Sequence, residues 1–169
     1  MAILEVLKYP DPRLRLKGEP VERVDNKIKK IVTDMFDTLY GSESCAGYSA
    51  IQLNIQKQII VIDISARKNE PLCLINAKIV AAEGETQEPE GCMSLPDIFA
   101  PVKRAAWIKV EALDQNGEHL EIETEGFLSA CIQHEIDHCN GILFIDHLSK
   151  LKRAKVENAL RAMRQKGVK

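Results

Sequence analysis

The sequence predicts an α+β fold: a mostly antiparallel sheet packed around one central helix, with a further helix toward each end of the chain. Three observations predict it. An amphipathic helical stripe occupies residues 25–40. Alternating or uniformly apolar strand patterns follow between 58 and 124. Two more helical stretches then close the chain, so helices and strands are segregated instead of alternating. A length of 169 residues suits one domain, 1–169, with a real core, and no repeat, low-complexity tract or linker interrupts it.

Pro10, Pro12 and Pro20 with Gly18 make the first twenty residues an extended, turning segment. Asp25 is placed to cap a helix running to about Tyr40, with Ile28, Ile31, Val32, Met35, Phe36 and Leu39 as its apolar stripe and Gly41 beyond its end. Residues 45–51 are small, around Gly47, Ser49 and Ala50, and lead into Gln52; such residues let a backbone or a ligand come close. Residues 58–64 and 71–75 read as buried strands, 77–83 as a weaker third, and 85–101 as a loop. Residues 107–113 and 119–124 alternate, and Asn116-Gly117 between them predicts a tight hairpin. Gly126 precedes a helix that Asn140-Gly141 ends. Ser149 caps a last helix with Leu151, Ala159, Leu160 and Met163 as its inner face.

The composition, 45% hydrophobic and 28% charged, is that of an ordinary soluble chain, and no run approaches the roughly 20 apolar residues of a membrane span. The first residues lack the basic and apolar regions of a signal peptide, so the expectation is a cytoplasmic monomer without membrane contact. Five irregularly spaced cysteines (45, 73, 92, 131, 139) point to packing or metal binding in place of a disulfide framework. Charge is uneven. Residues 149–169 hold eight basic and one acidic side chain, a net +7, while the other 148 residues hold 15 basic and 24 acidic, a net −9. A basic helix at 149–169 suits an anionic partner or simply a solvated face.

The chemistry concentrates in Gln133-His134-Glu135-Ile136-Asp137-His138, which contains H-E-x-x-H. Residues four apart lie one above the other on a helix, about 6 Å apart along the axis, so His134 and His138 can close on one metal ion. Glu135 points elsewhere and is free to act as a base toward water. The competing reading, a solvated helix face, fits poorly with flanks of Phe127, Leu128, Ala130, Cys131, Ile132 and Ile142, Leu143, Phe144, Ile145.

Two histidines do not hold a catalytic ion. Cys131 stands seven residues from His138, about 10.5 Å along the axis, too far to share ligand bonds of about 2.0–2.3 Å, and Cys139 faces about 100° away. The third ligand comes from elsewhere: Cys45, Cys73, Cys92, His119 or His147. Cys92, after Gly91 in a loop, is favoured on access, with Cys45 next.

Three segments then fall together. Glu90-Gly91-Cys92-Met93-Ser94 resembles the E-G-C-[LM]-S signature of peptide deformylases. Gln133–His138 resembles their Q-H-E-x-D-H signature, and Gly47-Tyr48-Ser49-Ala50-Ile51-Gln52 the end of their G-x-G-L-A-A-x-Q signature. Order and separations also fit, as does Pro10-Asp11-Pro12-Arg13-Leu14. The resemblance implies a metal held by Cys92, His134 and His138, with Fe²⁺ as the native ion and zinc, nickel or cobalt able to replace it. It implies Glu135 as general base and acid, with the Gln52 amide and the Met93 N–H as oxyanion donors. The substrate would be an N-formylmethionyl nascent peptide, its side chain in a pocket of Ala46, Gly47, Ala130 and Cys131, and the basic helix could contact the ribosome. Cys45, Tyr48 and Ser49 depart from the family pattern near the presumed cleft. Asp137 can support a ligand histidine, with Arg104 able to pair with it; Gln52, Glu90 and Asp137 each have an ordinary surface role as the alternative. The rival functions are another HExxH metallohydrolase such as a peptidase, and a non-catalytic or altered-specificity relative.

Overall fold

The computed structural model describes residues 2–165. Helix α1 (Asn26–Tyr40) begins where Asp25 accepts from the Ile28 N–H at 3.0 Å, and it buries Ile28, Val32, Met35 and Leu39. The strands are β1 (Gly47–Ser49), β2 (Ile59–Ile62), β3 (Leu72–Glu83), β4 (Thr86–Cys92), β5 (Leu95–Arg104), β6 (Trp107–Leu113) and β7 (His119–Glu125). Helix α2 (Gly126–Cys139) carries the HExxH segment, and α3 (Lys150–Gln165) follows a 3-10 turn, Phe144–His147. The main sheet runs β1-β2-β3-β6-β7, antiparallel throughout, and β4-β5 form a separate two-stranded sheet.

The main sheet packs α1 on one side and α2 on the other. Ile59 and Val61 of β2 face the α1 cluster with Cys73 and Ile75. Ile60, Ile62 and Leu74 face α2 with Ile108, Val110 and Ile132. Every position of β2 is therefore buried, which is why it reads as a continuous apolar run. The small β4-β5 sheet closes a third cluster, in which Leu95, Ile98 and Val102 meet Leu143, Phe144 and Leu160.

Four sequence expectations change. Residues 85–101 are not a loop: they form most of the β4-β5 ribbon. Pro89 and Pro101 oppose one another there, so the two residues without an N–H share one rung of a two-stranded sheet. The strands expected at 71–75 and 77–83 are one, β3, interrupted by irregular pairing beside Asn76, whose φ is +56°. The β6-β7 connection is wider than a two-residue turn. Asp114 accepts from the Asn116 and Glu118 N–H groups, and only Gly117 of the Asn116-Gly117 pair has positive φ. Helix α3 keeps only part of its expected inner face. Leu151 is 69% exposed and Ala159 is exposed, whereas Leu160 is buried and Val156 packs beside it. Ser149 does accept from the Lys152 N–H, as its capping position predicts. Residues 166–169, the end of the expected basic helix, lie outside the described residues. Among the described residues no helix is long and apolar enough to cross a membrane.

Candidate metal centre

Helix α2 presents His134 and His138 on the face turned toward β4 and β5. Their Nε2 atoms are 3.2 Å apart, and Cys92 Sγ, at the end of β4, is 3.3 Å from His138 Nε2. The three ligand atoms lie within 4.8 Å of one another. Tetrahedral bonds of about 2.0–2.3 Å would place such atoms roughly 3.3–3.6 Å apart, so the donor set fits one cation with room for a further ligand. The other candidates are elsewhere: Cys73 is buried in the α1 cluster, His119 is exposed at the start of β7, and His147 stands behind α2.

His134 is oriented from outside, whereas His138 Nδ1 is buried with no hydrogen-bond partner among the described residues. Glu90 Oε1 is 2.9 Å from His134 Nδ1, so that ring donates from Nδ1 and presents the Nε2 lone pair to the triad. Glu90 in turn accepts from Arg104 Nε and Nη2, both at 2.8 Å, and Arg104 Nη1 donates to Asp137 Oδ2 at 2.6 Å. Burial alone would raise the Glu90 carboxyl, but Arg104 and His134 hold it down to about 2. Burial, with the Arg104 charge nearby, pushes the His138 imidazole well below its ordinary value, which favours the neutral form that can ligate. Two roles were missed in the sequence. Glu90 read as an optional surface carboxylate, although it opens the E-G-C segment. Gln133 bridges to the backbone of Ala105, accepting its N–H at 3.0 Å and donating to its carbonyl at 2.9 Å, and so ties α2 to the end of β5.

Glu135, about 100° round the helix from His134, lines a cavity of about 560 Å³. The cavity is also lined by Cys45, Ala46, Gly47, Gln52, Cys92, Met93, Ala130, Cys131 and His134, so the pocket residues expected from the sequence are brought together with Cys92 and His134 of the triad. Glu135 Oε1 is buried without a hydrogen-bond partner, and burial lifts the carboxyl to about 7. Gly47 makes the space for it: a Cβ there would stand 3.3 Å from Glu135 Oε2 and 2.9 Å from the Val61 carbonyl oxygen. Gln52 is fixed by its own oxygen, which accepts from the Ser49 N–H at 3.0 Å. Its nitrogen is thereby aimed at Ser94 Oγ, 3.1 Å, and Cys92 Sγ, 3.4 Å. A buried carboxylate with an unpaired oxygen beside three converging metal donors is equipment for hydrolysis of a small carbonyl group.

Residues 3–154 match the family described as polypeptide deformylase. The chain belongs to the peptide deformylase family. A peptide deformylase of Nitrosococcus oceani is 52% identical over 156 residues, covering 92% of this chain and 93% of the relative. Peptide deformylase 1 of Coxiella burnetii is 46% identical over 98% of this chain and 99% of its own. The crystal structure of a peptide deformylase from Legionella pneumophila superposes with a TM-score of 0.92 at 40% identity over 99% of both chains. Peptide deformylases are metal-dependent hydrolases, and removal of the formyl group from N-formylmethionyl peptides is the function of this family.

Against the deformylase pattern, the three departures separate. Cys45 lines the cavity but is only 4% exposed, and burial pushes its thiol up to about 11, which leaves it a poor nucleophile. Tyr48 and Ser49 do not themselves line the cavity, although Gly47 and Gln52 of the same segment do. Both are fully buried, and the Tyr48 hydroxyl meets Ser42 Oγ at 2.9 Å in the α1 cluster. Strand β1 alternates, so Gly47 and Tyr48 face opposite sides of the sheet.

Proposed function

We propose that residues 1–169 act as a single, monomeric catalytic domain in the cytoplasm, removing formyl groups from nascent N-formylmethionyl chains, with Cys92, His134 and His138 as metal ligands. The observation that carries this reading is the convergence of those three donors, two of which line the same cavity as Glu135 with its unpaired oxygen. Fe²⁺ is the ion the family resemblance favours, and zinc, nickel or cobalt suit the same nitrogen and sulfur donors. A cation there supplies Lewis acidity toward water and toward the formyl oxygen.

The protein groups divide the rest of the work. Glu135 takes a proton from the attacking water at its unpaired oxygen and returns it to the departing amine. The Gln52 amide nitrogen and the Met93 N–H donate to the oxygen on which negative charge develops; Ser49 holds the other end of Gln52, and the long contact to Cys92 Sγ gives way to the substrate. Ala46, Gly47, Ala130 and Cys131 receive the methionine side chain, and the small residue at 130 leaves it room. Formate and a peptide with a free amino terminus leave.

The test is formate release from formyl-Met-Ala-Ser by protein purified without air. Metal-loaded protein should release formate, and Glu135→Gln should keep its metal while losing about 10²–10⁴-fold in turnover. Metal-loaded protein that never releases formate would sink the reading. For the basic segment 149–169, we propose ribosomal RNA as the anionic partner. Co-sedimentation with ribosomes should fall when this segment is deleted, and unchanged co-sedimentation rejects the contact.

A further inference from the structure

The 3-10 turn Phe144–His147 touches the metal centre twice. Side chains three residues apart eclipse one another in a 3-10 turn, so Phe144 and His147 project from the same side. Residues three apart on an α-helix are likewise neighbours, which pairs His134 with Asp137. The two couples are in register. The Phe144 ring stacks on the His134 ring at 6.1 Å, and His147 Nε2 lies 2.8 Å from Asp137 Oδ2. Phe144 is buried and explains itself as packing. His147, with its side chain 35% exposed, does not.

Asp137 Oδ2 receives two donors, His147 Nε2 and Arg104 Nη1. A carboxylate only accepts, so His147 contributes an N–H there in either charge state. Arg104, buried, is shared between two carboxylates: Asp137 takes one nitrogen, Glu90 the other two. Only the Glu90 side reaches a ligand, through His134 Nδ1. An Asp137 carboxylate left without its second donor pulls harder on Arg104 and draws it away from Glu90.

We propose that His147 is a positioning residue for the metal centre: by satisfying Asp137 it leaves Arg104 seated on Glu90, which fixes the His134 ring. The inference rests on the reading of Cys92, His134 and His138 as the metal ligands. It gives a role to a histidine that the sequence left as a possible ligand, and it links the segment leading into α3 to the metal.

The test is zinc release from the Zn²⁺-loaded full chain to a chromophoric chelator. His147→Phe and His147→Ala, the second serving if the phenylalanine is not accommodated, should release zinc about tenfold faster than wild type. His147→Gln, which keeps a side-chain N–H, should stay within about threefold. In an Asp137→Asn background, His147→Ala should add less than about twofold, because the route through Asp137 is already broken. The KM for formyl-Met-Ala-Ser should not change, since His147 does not line the substrate cavity. Wild-type release rates in both His147→Phe and His147→Ala, release from His147→Gln as fast as from His147→Ala, or full additivity with Asp137→Asn would each overturn the proposal. Wild-type protein that takes up no zinc would overturn the ligand assignment itself.

Discussion

Gly47 and Glu135 are fitted to one another: the place a Cβ would occupy at residue 47 is 3.3 Å from Glu135 Oε2. One lies in the first small-residue segment and the other in the helix 88 residues later, so the contact ties two sequence signatures to a single chemical requirement. The carboxylate needs a wall without a side chain.

Gly47→Ala is therefore expected to damage both function and stability. The new methyl group meets the Val61 carbonyl oxygen at 2.9 Å, across the β1-β2 pairing, and that backbone cannot move cheaply. Overpacking of this kind costs about 1–3 kcal/mol. Displacement of Glu135 should lower kcat by about tenfold or more. Urea unfolding and formate release measure the two effects separately, and unchanged values of both would show that the strand yields.

Arg104 carries the heaviest electrostatic burden. Arg104→Met leaves Glu90 and Asp137 without their shared cation, and breaking such a buried pair typically costs about 3–5 kcal/mol. The variant should also hold its metal more weakly, because Glu90 then loses its fixed position against His134. Denaturant unfolding together with metal content after dialysis checks both parts.

Asp146 contributes one part of the pH dependence of stability. Burial pushes its carboxyl up, but Arg15 and the Leu143 N–H outweigh burial and hold it below the ordinary 3.8. A depressed carboxyl contributes stability that is complete above its unfolded value and is lost as the pH falls through the folded one. Asp146→Asn should thus be less stable than wild type by about 1–2 kcal/mol at pH 7. The gap should hold down to about pH 5 and close below about pH 4. Unfolding curves measured across that range give the result directly, and a gap independent of pH would remove Asp146 from the account.

Much of the site was legible because helix geometry is strict. The four-residue spacing of His134 and His138 put them on one face, and the seven-residue spacing excluded Cys131 as a partner. The Asp25 cap and the stripe from Ile28 to Leu39 marked α1 for the same reason. What stayed hidden depends on long-range contacts. Ile98, Ala100, Val102 and Arg104 alternate inward along β5, but Pro96 and Pro101 mask the pattern, and a strand that ends in a buried arginine makes sense only once Glu90 and Asp137 flank it. That Tyr48 turns away from the cavity was not legible, because a three-residue strand gives no periodicity from which to read its face. The inward face of α3 was only partly read: Leu160 meets the third cluster as expected, but Leu151 is apolar yet points to solvent, and Val156 packs in its place.

The central claim is that Cys92, and not the cavity thiol Cys45, completes the metal site with His134 and His138. Metal content per chain, measured on air-free Cys92→Ala and Cys45→Ala beside wild type, tests it most directly. The structure predicts about one ion per chain in wild type and Cys45→Ala and almost none in Cys92→Ala, with formate release following the metal. Full metal content in Cys92→Ala, or its loss in Cys45→Ala alone, would contradict it.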